Sequence, residues 1–198
     1  MRKAIKILSK KKLYEGHNSL YQYQFQLSGL SAKPLSKIIS YDVLHCRDSV
    51  LILIYAPDID SFLLLQEYRW GVFCNNNHDD PIIYECVAGE IDAGKTPEQA
   101  AQLETKEESG LEINEFVHIT TAYASPGHIT EKTYLYYSEV AGTPQTGVFG
   151  LEEEGEEMLT TLIKREEVYK MMDEMKIVDA MTLLTLYWFR SRDKRKTQ

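Results

Sequence analysis

Residues 87–111, VAGEIDAGKTPEQAAQLETKEESGL, carry carboxylates at a spacing that invites metal chemistry. The segment reads as a loop followed by a helix over 97–109. Thr96 suits the N-cap, Pro97 the first helical position, Gln99 completes a capping box and Gly110 ends the helix. At about 100° per residue, Ala100, Glu104, Glu107, Glu108 and Leu111 share one face, and Gln102, Thr105, Lys106 and Ser109 the other. The acids therefore point where the apolar residues point. Like charges one turn apart repel, and a buried carboxylate without a partner is costly or takes up a proton. A divalent cation removes the conflict. Hard ions such as Mg2+ prefer carboxylate and carbonyl oxygens, and the segment holds no His or Cys. The alternative, a solvated acidic helix face, is disfavoured because the polar residues opposite already supply one.

Strands dominate the elements that must position this helix. Tyr21, Tyr23, Phe25 and Leu27 alternate with Gln22, Gln24 and Gln26, the pattern of a half-buried strand. Further strands are expected at 36–44, 49–55, 62–68, 82–88, 116–123, 133–140 and 158–163, with Pro57-Asp58-Ile59-Asp60 as a hairpin turn. Helices are expected at 97–109, 165–174 and 178–192. This order predicts an α+β layered fold. Two loops add possible chemistry: Tyr123–Glu131, where Gly127 lets backbone approach a ligand, and the acidic run Glu152-Glu153-Glu154-Gly155-Glu156-Glu157.

The 87–111 segment resembles the signature of the Nudix hydrolases. Gly89, Glu104, Glu107, Glu108, Gly110 and Leu111 stand at matching positions. Lys95, Leu103 and Thr105 depart from it, replacing a Glu, an Arg and an aliphatic residue. The departures bear on geometry more than on ligation, and losing both members of an ion pair leaves no orphan charge. Around the box, Glu67-Tyr68-Arg69, Glu85-Cys86-Val87-Ala88-Gly89, the Ser125-Pro126-Gly127 loop ending at Glu131 and Lys176–Leu183 resemble the ADP-ribose and sugar-nucleotide pyrophosphatase group. The polar stretch Asn75–Asp80 is most similar to the GDP-mannose hydrolase branch. Ile38-Ile39-Ser40 stands about where these enzymes carry Arg-Glu near the nucleotide.

The resemblance implies a Nudix fold, a mixed β-sheet sandwiched between helices, with an N-terminal β appendage. It divides the chain into a β subdomain over 1–45 that forms a homodimer and a hydrolase domain over 46–198. It implies Mg2+-dependent hydrolysis, with Mn2+ also serving, of a nucleoside diphosphate sugar of ADP-ribose or GDP-mannose type. Implied metal ligands are Glu104, Glu108 and the Ala88 carbonyl, with Glu107 acting through water; the acidic run contributes Glu154 as a ligand and Glu152 or Glu154 as catalytic base. Implied substrate contacts are Arg69, Glu85, Ser125, Gly127 and Glu131. Two rivals stay open: a Nudix-fold binding module with weakened catalysis, and an enzyme for another pyrophosphate such as a dinucleotide.

Composition narrows the field. The 198 residues, 43% hydrophobic and 26% charged, suffice for a sizeable core. A net charge of −8 argues against nucleic acid as partner, and no apolar run is long enough for a membrane span. Cys46, Cys74 and Cys86 show neither disulfide nor zinc spacing, so free thiols in a cytoplasm are expected. The five histidines, His17, His45, His78, His118 and His128, show no ligand spacing. The basic run from Arg190 to Lys196 reads as a solvated tail.

Overall fold

The computed structural model describes residues 5–27, 38–75, 79–150 and 157–193. The chain forms two compact units. Residues 1–48 with 123–132 make one, and residues 49–122 with 133–198 the other.

In the first unit, β1 (Ile5–Glu15), β2 (Ser19–Leu27) and β3 (Ile39–His45) form an antiparallel sheet in that order. The Tyr-Gln alternation puts Tyr21, Tyr23 and Phe25 on one face, where Tyr23 stacks on Phe25 and its hydroxyl lies 2.8 Å from His45 Nε2. The loop 125–130 joins this unit through backbone bonds from Leu44 N–H to His128 O and from Thr130 N–H to Leu44 O.

The second unit holds the large mixed sheet, ordered β10 (Val148–Phe149), β11 (Met158–Lys164), β5 (Ser61–Tyr68), β4 (Ser49–Ala56), β9 (Lys132–Glu139), β8 (Val117–Tyr123). Two short strands extend it: β6 (Ile82–Glu85) pairs with β5, and β7 (Val87–Glu90) with β4. β4 runs parallel to β9 and antiparallel to β5 and β7. Its sequence, SVLILIYA, is apolar throughout because both faces are covered. Val50, Ile52 and Ile54 face α2 (Pro97–Ser109), while Leu51, Leu53 and Tyr55 face α3 (Arg165–Asp173) and α4 (Ala180–Arg192). A sheet between helices is the α+β layered arrangement expected from the sequence.

The expected helices and most strands stand within a few residues of where the sequence puts them. The expected 82–88 strand is broken: Cys86 separates β6 from β7, and its N–H donates to Thr182 Oγ1 of α4 at 3.0 Å instead of to a sheet partner. Three elements were not expected: β1, β10 and the short helix α1 (Trp70–Cys74). Arg190 and Arg192 end α4 rather than a loose tail, Arg190 pairing with Asp173 at 2.6 Å and Arg192 lying over the Trp188 ring; residues 194–198 lie outside the described residues.

Candidate functional site

The acid-bearing helix is built as its end signals require. Thr96 accepts from Gln99 N–H, the Gln99 side chain accepts from Thr96 N–H, and Gly110 closes the helix in the left-handed region at φ 69°. Lys95 stabilises the preceding turn by pairing with Asp92 at 3.0 Å.

Burial along α2 departs from the polarity pattern of its sequence. Thr105 and Ser109, expected on the solvent side, are buried together with Ala100, Ala101 and Glu108. Small residues let α2 lie close against β7 and β4, so side-chain size rather than polarity sets this stripe. Thr105 Oγ1 has no hydrogen-bond partner among the described residues. Of the acids, Glu108 goes inside at 4% exposure, and Glu104 and Glu107 stay half-buried.

Strand parity brings the other acids to the same side. Leu63 and Leu65 of β5 pack toward α2, so Glu67, two residues on, shares that side. Glu85 pairs in register with Leu65 and Gly89 with Val50, both α2-facing. The Glu104 carboxylate lies so close to Gly89 that any Cβ there would collide with it, which is the local reason for glycine. Glu108 accepts from Ala88 N–H at 3.0 Å. At the end of β5, Arg69 donates through Nε to Glu85 at 2.5 Å and through one terminal nitrogen to Glu67 at 3.3 Å, with the other terminal nitrogen 3.1 Å from Glu67 in an ion pair.

This group of charges is out of balance. Glu108 is held well above the usual carboxylate range, first by burial and then by Glu104 and Glu67, with the Ala88 N–H pulling the other way. Glu85 is pushed up to about 7, again first by burial, with Arg69 opposing. Burial also raises Glu67. A single Arg serves two acids directly, and the most buried carboxylate is not among them.

A hard cation fits this setting: the donors are oxygens, and Glu108, the most buried of these carboxylates, has no ion pair among the described residues. Among the described residues, no three Asp, Glu, His or Cys side chains already converge to hold a metal ion. The expected acids Glu152 and Glu154 lie outside the described residues. Ser125, Gly127 and Glu131 belong to the first unit, where Ser125 O accepts from the N–H groups of His128 and Ile129 at 3.1 and 2.9 Å. Space beside Gly127 is open. Sequence reading noted Glu67 only as part of a motif; counting parity from the apolar run 62–65 would have placed it among the site acids.

The NUDIX domain model matches residues 46–181. An ADP-ribose pyrophosphatase from Haemophilus influenzae is 32% identical over 185 residues, 93% of this chain and 85% of that protein. A GDP-mannose pyrophosphatase from Pectobacterium atrosepticum is 28% identical over 189 residues, 94% of each chain. A solved structure of an ADP compounds hydrolase superposes with a TM-score of 0.72 at 17% identity, covering 98% of this chain and 96% of that one. That likeness bears on the fold, which it matches. With its box on α2, its acids gathered beside Gly89 and this span of matched sequence, the chain belongs to the Nudix family.

Proposed function

We propose that the chain hydrolyses the pyrophosphate bond of a nucleoside diphosphate sugar, of ADP-ribose or GDP-mannose type, to a nucleoside monophosphate and a sugar phosphate. The observation that carries this is the group of Glu108, Glu85 and Glu67, all raised by burial, beside Arg69 among the described residues. The named activities of the similar proteins point the same way.

In this reading Glu104, Glu108 and the Ala88 carbonyl hold Mg2+, or Mn2+, with Glu107 acting through water and Glu154 as a further ligand. Such an ion, held there, would neutralise the diphosphate and acidify a water. Arg69 has two of its five N–H donors engaged, by Glu85 and Glu67, and offers others to a phosphate oxygen. Glu85 holds that guanidinium in place. Water oxygen joins one phosphorus, the bridging oxygen leaves with the other, and the water proton passes to Glu152 or Glu154 as base. Ser125, Gly127 and Glu131 enter as substrate contacts on the family likeness.

The same reading makes residues 1–45 a dimerisation subdomain and 46–198 the hydrolase domain, in a cytoplasmic homodimer. In its support, β1 is a long sheet-edge strand with exposed Ile5, Ile7 and Tyr14. Among the described residues no helix is long and apolar enough to cross a membrane. Light scattering at micromolar protein is expected to give twice the chain mass of 22.8 kDa; a monomer with full activity would overturn the dimer.

The functional test is hydrolysis of ADP-ribose, GDP-mannose and a dinucleotide with Mg2+ or Mn2+, following nucleoside monophosphate release. Turnover of at least one nucleotide sugar, abolished by EDTA, is expected. One observation favours a second reading, binding without turnover: ligands do not converge among the described residues. That reading requires tight nucleotide-sugar binding and no product.

A further inference from the structure

A cleft of about 440 Å3 opens between α1, the start of β6 and the connection from α3 to α4. Val72, Ile82, Ile83 and Val178 give it apolar walls; Asp79 and Asp80 stand on one side and Lys176 on another. Lys176 is already paired with Glu174 at 2.8 Å, and Asp80 is fixed by accepting from Ile82 N–H at 2.9 Å. The lining therefore offers carboxylate acceptors and aliphatic surface, with its cation engaged elsewhere. Such a lining repels phosphate. It suits a neutral polyol, whose hydroxyls donate to carboxylates and whose C–H faces pack on aliphatic side chains. α1, one wall of the cleft, also carries exposed Trp70 and Phe73.

Position along the chain links the cleft to the reaction. Gly71 of the lining follows Arg69 by two residues, and Ile83 precedes Glu85 by two on the same strand. Two strand residues span about 7 Å. A sugar attached to a diphosphate at Arg69 needs to be about one ring away, which is where the cleft begins.

We propose that this cleft receives the neutral sugar half of the substrate, with Asp79 accepting from its hydroxyls. The proposal rests on the pyrophosphatase reading and gives the substrate a direction: the nucleotide half lies away from the cleft. A second half that carries further phosphates, as in a dinucleoside tetraphosphate, is disfavoured by Asp79 and Asp80.

The test uses the full chain with Mg2+ and compares wild type with Asp79→Asn, Asp79→Lys and Val178→Trp on ADP-ribose, GDP-mannose and a dinucleotide with extra phosphates, diadenosine tetraphosphate. Asp79 is exposed, so its isosteric amide leaves folding intact. Asp79→Asn and Val178→Trp are expected to raise KM for a nucleotide sugar about 10-fold with little change in kcat, the scale of a lost pocket contact. Asp79→Lys is expected to improve the dinucleotide relative to the sugars. Unchanged KM for the sugars in both Asp79→Asn and Val178→Trp, with wild type active, would overturn the cleft while leaving the pyrophosphatase reading standing. A wild type inactive on every substrate would instead overturn that reading, and the cleft assignment with it.

Discussion

The two faces of the large sheet both bury charge, and they handle it differently. On the α3–α4 face, Arg165 donates to Asp60 at 2.9 and 3.1 Å and to Asp193 at 2.6 Å, while the Tyr55 and Tyr169 hydroxyls donate to the same two acids. Each carboxylate there meets at least two donors. On the α2 face, Glu108 meets Ala88 N–H, and Arg69 is divided between Glu67 and Glu85. The first arrangement is closed and ties the β4–β5 turn, where Asp60 sits at φ 47°, to the end of α4. The second is left open on the negative side. A fold that can satisfy a buried arginine so fully has no physical need for an unbalanced acid group elsewhere, which marks that group as the place where a cation and a phosphate enter.

The contrast can be broken by removing one charge from each face. Glu108→Gln is expected to lose on the order of 10²-fold or more in Mg2+-dependent turnover, the scale of a lost electrostatic contact in a reacting site, while melting at or above the wild-type temperature without metal. Wild-type turnover in that variant would remove Glu108 from the site. Arg165→Met is expected to do the reverse. It strands Asp193 in the interior and costs roughly 3 kcal/mol in denaturant unfolding, with turnover per folded molecule preserved. Equal stability would mean that the closed network is not holding the fold.

Acidity sharpens the comparison. Glu85 rises from 4.5 toward about 7 in the folded protein, and Glu108 rises well above 4.5. Above pH 4.5 the unfolded chain releases these protons first, so metal-free stability is full below about pH 4.5 and falls as pH climbs to 7 and beyond. Melting curves in EDTA are expected to show that fall, and Mg2+ to offset it. A metal-free stability that rises between pH 5 and 7 would contradict the assignment of both groups. The smallest effect is expected at Thr105, whose buried hydroxyl has no partner among the described residues; Thr105→Val is expected to stabilise by about 1 kcal/mol, measured by urea unfolding.

Local signals carried much of this into the sequence. The capping box of Thr96 and Gln99, the Gly110 terminator and the Tyr-Gln alternation of β2 act over a few residues, and the structure repeats them. Long-range facts were less legible. Thr105 and Ser109 looked solvent-facing because polarity was read where close approach to β7 decides the side chain. The break at Cys86 depends on Thr182, 96 positions away, which no local pattern announces. β1, rich in lysine and exposed along its length, lacks the alternation that marks a half-buried strand. Glu67 joined the site through strand parity, and its sharing of Arg69 with Glu85 required the β5–β6 register.

The central claim, that the open acid group on the α2 face is a cation site serving hydrolysis, is tested most directly by Mn2+ binding to the full chain. Wild type, Glu104→Gln, Glu108→Gln and Arg165→Met are titrated at pH 7.5 with free Mn2+ followed by its paramagnetic resonance signal. The account expects saturable binding in wild type and Arg165→Met, weakened at least 10-fold in each Glu variant. Equal Mn2+ affinity across all four proteins would contradict it.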